Sequence, residues 1–359
     1  MLRKVEFENF MSLKNVSLDL RPLTVFIGPN ASGKSAVFKG LVTFSKLMNR
    51  APVRGPQGEF ALEDGVTLDD IVWGGNSGLP IRFRAWFDDD VEEPGYTVEL
   101  MKRAEGWSVT REKLRTSDGW IEVDEGKPFN HATERVGTKE HRPPLRGTLR
   151  YVVHPFFNDS AARPTIQPII EFSERFGQTW RYRPSASDIA RFVRRPSGPH
   201  ARPTYVGENG SGLAAELQAL QGSKRDVFEK IEKAICDLFP HIRSIGFKTD
   251  WQGVRLSFMT NRSEDLLPAP QESDGVLIAT FLYWRLYTAG GPSLRVCLEE
   301  PENGLYPFLL GDRFQLLKNF ASGEQGPGPV QILIATHSRD LLRTVKTHSA
   351  FVGQRNQGR

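Results

Sequence analysis

Gly28-Pro29-Asn30-Ala31-Ser32-Gly33-Lys34-Ser35 reads G-x-x-x-x-G-K-S, and the residues on either side decide how it folds. Before it runs Leu23-Thr24-Val25-Phe26-Ile27, an apolar stretch of strand length. After it, Val37, Phe38, Leu41, Val42, Leu47 and Met48 recur at roughly helical spacing. Strand, glycine-rich loop and helix in that order are the setting of a phosphate cradle. The glycines let backbone N–H groups turn toward phosphate oxygens, and the helix start adds the positive end of its dipole. Lys34 can then reach β- and γ-phosphates, and the Ser35 hydroxyl can ligate Mg²⁺.

Upstream, Val5 and Phe7, then Val16, Leu18 and Leu20, alternate with polar residues, which predicts two short strands turning near Met11-Ser12-Leu13-Lys14. Downstream comes a Gly- and Pro-rich loop from Ala51 to Phe60. Strand-like segments follow at Ile81–Phe87, Tyr96–Met101, Trp107–Arg111 and Trp120–Val123, a β-meander. From Lys127 to Pro203 prolines punctuate the chain and arginines recur, among them Arg142, Arg146, Arg150, Arg181, Arg183, Arg191, Arg194, Arg195 and Arg202. Two readings of this connector stand side by side. Aromatics interleaved with cations, as in Trp180-Arg181-Tyr182-Arg183, suit a phosphate backbone, and the same composition suits a solvated linker.

Regular structure resumes at Gly210-Ser211-Gly212-Leu213, with a helix through Leu220 and an amphipathic one carrying Val227, Phe228, Ile231, Ala234, Ile235, Leu238 and Phe239. Val254–Phe258 reads as a strand, and an almost wholly apolar helix starts after Asp274-Gly275. Leu294–Leu298 and Val330–Ala335 read as buried strands; helices are predicted from Tyr306 to Phe320 and from Ser338 to Val345. Helices alternating with continuous apolar strands predict a parallel sheet with helices on its faces. The expected organisation is a mixed, partly antiparallel lobe over residues 1–126, an inserted connector over 127–203 and a second lobe over 204–359.

The 359 residues are 39% hydrophobic and 25% charged with a net charge of +4, ordinary values that leave room for two lobes and a large core. The isoelectric point near 9.0 permits a nucleic-acid partner without requiring one. Cys236 and Cys297 both lie in apolar runs, with no disulfide framework or zinc spacing. The charged, alternating N-terminus does not read as a signal peptide, and no apolar run approaches the roughly 18–20 residues of a membrane span. The expected compartment is the cytoplasm.

Three further stretches carry chemistry. Glu299-Glu300-Pro301-Glu302 follows a buried strand; adjacent carboxylates there can hold a metal and take a proton from an attacking water. We assign Glu299 to the metal and Glu300 to the water. His337 ends the next strand, where an imidazole can donate to a γ-phosphate. Glu272-Ser273-Asp274-Gly275 opens a helix, so Ser273, Asp274, Gly275 and the N–H groups after them make a second phosphate-binding helix start, or an ordinary N-cap.

These four stretches, GPNASGKS, ESDG, LEEPENGLYP and ATHS, resemble in their order the ABC-class ATPases, and most nearly the RecF/SMC/OLD-like AAA family branch. A hairpin of the form N-F-x-S, here Asn9-Phe10-Met11-Ser12, precedes the loop in that branch. The resemblance covers residues 1–44 and about 182–352. It implies a P-loop NTPase fold of ABC type that binds ATP and Mg²⁺ and hydrolyses ATP. It also implies that ESDG contacts the γ-phosphate bound by the other subunit of a homodimer, that Gly304 and Leu305 lie at the dimer interface, and that His337 is the switch histidine. This sequence has Glu299 where many relatives have Asp, S-D-G in place of S-G-G and Tyr306 in place of a histidine, and its Q-loop glutamine is unassigned. It shows no heptads for a long coiled coil and little length after His337 for a Toprim nuclease domain. The resemblance implies a compact ATPase coupled to DNA or to a nuclease partner, in DNA repair or phage defence. The alternatives are the nucleotide-binding subunit of a membrane transporter and a non-catalytic, ATP-gated scaffold.

Overall fold

The computed structural model describes residues 1–49, 53–54, 60–61, 68–88, 92–103, 106–116, 119–124, 127–130, 172, 176, 178–194, 206–251, 253–291, 294–302, 308–338 and 350–352. The chain forms two compact units. One comprises Met1–Pro22, Asn30–Thr179 and the last residues; the other comprises Leu23–Pro29 and Trp180–Gln354.

In the first unit, β1 (Leu2–Phe10) and β2 (Leu13–Asp19) form the expected hairpin, with Phe10 opposite Leu13 across its turn. Asn9 and Met11 have positive φ of 56° and 51° there. Asn is among the residues that tolerate this region best, and Asn9 Nδ2 is held by the distant Pro80 carbonyl at 2.9 Å. A two-residue pair, β4 (Val53–Arg54) and β5 (Phe60–Ala61), precedes a short helix α2 (Leu68–Ile71). The meander follows as β6 (Ile81–Phe87), β7 (Tyr96–Arg103), β8 (Gly106–Thr116), β9 (Gly119–Asp124) and β10 (Lys127–Asn130). All seven large strands make one antiparallel sheet in the order β10-β9-β8-β7-β6-β1-β2.

Period-two alternation separates the faces of this sheet. Val5, Phe7, Ile81, Phe83, Tyr96 and Val98 are buried. The other face is laced by charge: Arg82 reaches Glu8 at 2.9 Å and Glu99 at 2.6 Å, and Arg84 reaches Glu6 at 3.2 Å. Burial pushes the Glu6 carboxyl up, but hydrogen bonds from Lys4, Arg84 and Ser17 outweigh it and hold it below its ordinary value.

Helix α1 (Lys34–Asn49) packs on the apolar face. The Phe44 ring stacks on Phe83 at 4.4 Å and lies 6.3 Å from Phe7. Gly40 is required here, since a Cβ would enter the Phe7 ring. Close packing of this kind fixes where the first turn of α1, with Lys34 and Ser35, begins.

The second unit is built on a five-stranded sheet in the order β11-β16-β17-β3-β18. Its strands are β3 (Leu23–Ile27), β11 (Gln178–Tyr182), β16 (Leu294–Glu299), β17 (Gln331–Thr336) and β18 (Ala350–Val352). The ladders from β16 to β17, β17 to β3 and β18 to β3 are all parallel. Two findings differ from the sequence reading. Residues 178–182, read as connector, form a strand beside β16: Thr179, Trp180 and Tyr182 suit a sheet, and Pro184 ends it. β18, unread in the sequence, completes the other edge.

A short helix α3 (Ala186–Ile189) and β12 (Val193–Arg194) follow β11. Then come α4 (Leu213–Ser223), α5 (Arg225–Leu238) and an antiparallel sheet of β12 with β13 (Ile242–Thr249), β14 (Gly253–Thr260) and β15 (Ser263–Pro268). Helix α5 buries Phe228, Ile231 and Ile235 and turns Asp226, Glu229 and Lys230 outward, the amphipathic pattern its spacing predicts. Helix α6 (Asp274–Thr288) is apolar on most sides and is accordingly buried from Gly275 to Leu286. Helix α7 (Phe308–Ser322) lies next in the chain. The predicted helix over Ser338–Val345 beyond its first residue, the residues Gly304, Leu305 and Tyr306, and Arg142, Arg146, Arg150, Arg195 and Arg202 lie outside the described residues.

Candidate functional site at the end of the parallel sheet

Parallel pairing brings three chain exits to one edge. Glu299 pairs with Ala335 and Ala335 with Phe26, so β16, β17 and β3 end in one row. Just past that row stand Glu300, His337 and Gly28. His337 Nδ1 donates to the Gly28 carbonyl at 2.8 Å, and since a carbonyl only accepts, Nδ1 carries the proton. Nε2 faces Glu300 Oε1 at 3.2 Å. A proton on one of those two atoms completes that contact. The residues taken from the sequence as water-activating and phosphate-sensing are therefore in contact, beside the first residue of the glycine-rich loop.

The backbone holds Glu300 in place. Its N–H donates to the Ala335 carbonyl at 2.8 Å, and its φ is +48°. A left-handed conformation in a non-glycine residue costs on the order of 1–3 kcal/mol and persists only where its surroundings fix it. Here the turn sets the side chain between His337 and Arg183.

Four residues join the site that sequence reading did not place there. Arg183 Nη2 donates to Glu300 Oε2 at 3.2 Å. Arg181 Nε lies 3.6 Å from Glu299 Oε1, and its Nη2 lies 2.9 Å from Glu208 Oε2. Glu302 accepts from the Thr336 hydroxyl and from the His337 N–H at 3.3 Å. Thr336 Oγ1 in turn accepts from the Ser338 N–H at 2.9 Å. The acidic turn thus clamps the end of β17 on which His337 sits. Its third carboxylate, Glu302, stands in the quoted LEEPENGLYP stretch and was the readable signal. The two arginines were legible only as composition.

Glu299 is buried and closes β16. Further down the same strand, burial lowers Arg295 to about 10 and pushes the Cys297 thiol far up, so that thiol stays protonated and is no nucleophile. Cys236 is also raised by burial.

The loop runs from Gly28-Pro29 in the second unit to Asn30–Ser35 in the first. Ala31 and Gly33 have φ of 61° and 94°, the left-handed turns that aim successive N–H groups into a concavity. A Cβ on Gly33 would approach the Leu13 side chain to 3.1 Å, so the β1–β2 hairpin braces the loop. Lys34 Nζ donates to Ser32 Oγ at 3.3 Å, and the Val37 N–H donates to the Gly33 carbonyl at 3.0 Å as α1 begins. The first turn of α1 has no acidic residue, which leaves its dipole available to an anion.

Ser273 is the N-cap of α6, with Oγ accepting from the Val276 N–H at 3.4 Å. Its own N–H donates to Glu272 Oε2 at 3.2 Å, and His241 Nε2 lies 3.4 Å from the same oxygen. The hydroxyl accepts within its helix and keeps a hydrogen to donate. Asp274 and Gly275 occupy the first turn. Next to Glu272 and Asp274, a cleft of about 840 Å³ is lined by Ser185, Ser187, Arg191, Phe192, Arg194 and Arg255.

A glycine-rich loop running from a strand into a helix, a histidine just past the neighbouring strand and an acidic pair at the end of the strand beyond it define an ABC-type AAA ATPase. A family model described as "AAA domain, putative AbiEii toxin, Type IV TA system" matches residues 23–343, and the chain belongs to that family. No curated protein matches it in sequence. Among solved structures it is similar to an Smc head bound to the C-winged helix domain of ScpA, with 12% identity, 96% of this chain and 92% of that one covered, and a TM-score of 0.50. An SMC head domain from Thermotoga maritima matches with 12% identity, 96% and 92% coverage and a TM-score of 0.39. A Pyrococcus furiosus Smc head with an extended coiled coil, bound to the C-terminal domain of ScpA, matches with 9% identity, 96% and 91% coverage and a TM-score of 0.45. The first of these supports the fold.

The clamp by Glu302 is testable. Glu302→Leu leaves a buried hydroxyl and an N–H without their acceptor and is expected to lower the unfolding free energy by about 1–3 kcal/mol in urea titrations. Glu302→Gln, which keeps one acceptor, should cost less. Equal losses would show that the carboxyl group is not what holds this turn.

Proposed function

We propose that the chain binds ATP with Mg²⁺, closes as a homodimer around two nucleotides, hydrolyses them, and couples this cycle to DNA or a nuclease partner. The observation that carries the reading is the meeting of Glu300, His337 and the start of the phosphate loop at one sheet edge. Gly28, Pro29, Asn30, Ala31, Ser32 and Gly33 would cradle phosphates through backbone N–H groups, and Lys34 would neutralise the β- and γ-oxygens. Glu300 would orient and deprotonate water, with His337 at the γ-phosphate.

Ser35 and Glu299 fit a Mg²⁺ ion in the chemistry of their donors. Both offer hard oxygens, and Mg²⁺ in phosphate sites takes few protein ligands beside phosphate and water. Bound there, the ion would neutralise developing phosphate charge.

The two helix starts are what support the dimer in this reading. In the architecture that the resemblance implies, the phosphate loop and Ser273-Asp274-Gly275 face opposite ways across a two-fold axis, so a site is completed only by a second copy in a closed isologous pair. Ser273, with its hydroxyl hydrogen still available, would meet the partner's γ-phosphate. Smc heads are similar in fold, and one is bound to the C-winged helix domain of ScpA; an effector subunit on this chain is the corresponding proposal. The family description, naming a putative toxin of a Type IV toxin–antitoxin system, supports a role in defence over one in transport. Among the described residues no helix is long and apolar enough to cross a membrane. The three-part division at residues 126 and 203 remains our working proposal.

DNA contact, in this reading, falls to the cleft beside the Ser273 helix. Arg181 and Arg183 are turned onto the carboxylates of the site, while Arg191, which also lies 3.4 Å from Asp188, and Arg194 are exposed at the cleft, and Trp251, 84% exposed, stands at the tip of the β13–β14 hairpin. Cations beside an exposed aromatic suit a nucleic-acid backbone and its bases.

Two measurements test these proposals. With a cysteine at Ser273 and another at Asn30, a non-hydrolysable ATP analogue with Mg²⁺ should produce inter-subunit cross-links that ADP does not. Cross-linking regardless of nucleotide, or in no state, would contradict the ATP-closed dimer. If the cleft holds DNA, binding should weaken with salt with a log–log slope of about −0.9 per neutralised phosphate on duplex. Replacing Arg191 and Arg194 by Ala should flatten it; an unchanged slope would remove the cleft from DNA binding.

A further inference from the structure

Two successive carboxylates at the end of β16 are met by two arginines of alternate position on β11 and its extension. Arg181 and Arg183 are two residues apart, as side chains on one side of a strand must be. Arg181 faces Glu299 and Arg183 faces Glu300. Their freedom differs. The Arg181 side chain is only 18% exposed and is anchored on Glu208. The Arg183 side chain is 63% exposed. Its backbone, however, is pinned: the Arg183 N–H donates to the Glu208 carbonyl at 2.9 Å, and the Ser185 N–H to the Asn209 carbonyl at 2.9 Å. A fixed backbone with a long, solvent-exposed cationic head can swing between neighbouring anions at little cost.

Glu300 is the anion it now holds. Both carboxylate oxygens have a partner, Oε1 facing His337 and Oε2 facing Arg183. The guanidinium thus occupies Oε2. A terminal phosphate is the stronger competitor. It carries more charge, and the planar guanidinium fork matches its oxygens in bidentate fashion. His337, whose other nitrogen is on the Gly28 carbonyl, places the start of the phosphate loop one side chain away from Glu300.

We propose that Arg183 is a positioning residue that exchanges anions: in the nucleotide-free protein it restrains Glu300, and when a nucleoside triphosphate binds it moves to the terminal phosphate and uncovers the carboxylate. This rests on the ATP-binding reading above. It gives the β11 strand, which offers no glutamine beyond Gln178 at its opposite end, a cationic group where it meets the acidic pair. A diphosphate, lacking the terminal group, leaves Arg183 on Glu300. Restraint and triphosphate recognition are then one event, since a ligand shifts such an equilibrium only by its differential affinity for the two states.

The test is a double-mutant cycle on nucleotide affinity, measured by calorimetry with Mg²⁺, for the wild type, Arg183→Ala, Glu300→Gln and the double variant. A non-hydrolysable ATP analogue and ADP are the probes. Arg183→Ala should weaken the triphosphate by about tenfold or more, the scale of a hydrogen bond to a charged group, and ADP much less. Glu300→Gln, which releases Arg183, should tighten the triphosphate in the wild-type background and lose that gain in the Arg183→Ala background. Equal weakening of both nucleotides by Arg183→Ala, or the same gain from Glu300→Gln in both backgrounds, overturns the exchange. If the wild type binds neither nucleotide, the ATP-binding reading fails first, and this inference with it. Circular dichroism of each variant establishes that it is folded; Arg183→Lys, which keeps the charge but loses the fork, should fall between wild type and Arg183→Ala.

Discussion

The parallel ladder of β16, β17 and β3 is the constraint on which the second unit's chemistry depends. Its register puts Glu299, Ala335 and Phe26 in one row. Glu300, His337 and Gly28 all leave the sheet within two residues of that row. The strands are buried over their whole length, so a one-residue slip would turn every side chain to the opposite face and move Glu299 from its place at the end of the row. The site is thus fixed by sheet register first and by side-chain contacts second. The local contacts refine it: a left-handed Glu300, a histidine tied to Gly28 and a carboxylate holding Thr336.

The first unit contributes in a different way. Its antiparallel sheet offers an apolar face on which α1 lies, with Phe44 stacked on Phe83 and Gly40 admitting the Phe7 ring. The β1–β2 hairpin then closes against Gly33 through Leu13. A flexible glycine-rich loop gains a defined shape because its flanking helix and hairpin are held by aromatic packing. The charged outer face of the same sheet leaves the apolar face as the one for α1 to cover.

Much of this was legible in the sequence because it is local. The loop motif, the N-F-x-S hairpin, the meander and the strands ending in Glu299 and before His337 each announce themselves within ten residues, by period or by glycine. Ser273 read correctly as a helix start, because an N-cap is a one-turn pattern. What was not legible is what depends on strand order. Arg183 and Glu300 are separated by 117 residues, and only the placement of β11 beside β16 brings them together. Composition showed arginines among aromatics and left open whether they meet nucleic acid or pack; Arg181 and Arg183 turn out to meet the acidic pair, whereas Arg191 and Arg194 stay at the surface. The strands β13, β15 and β18 were missed for a related reason: each is short or weakly alternating and is defined by its partner.

The claim at the centre is that Glu300, set by the β16–β17–β3 register, acts on the water that attacks a bound nucleotide. Single-turnover hydrolysis of ATP by the wild type and by Glu300→Gln, with nucleotide binding measured on the same samples, tests it most directly. The account predicts that the variant binds ATP and loses about 10²–10⁴-fold in rate, the scale of a missing general base. Hydrolysis by Glu300→Gln at the wild-type rate would contradict it.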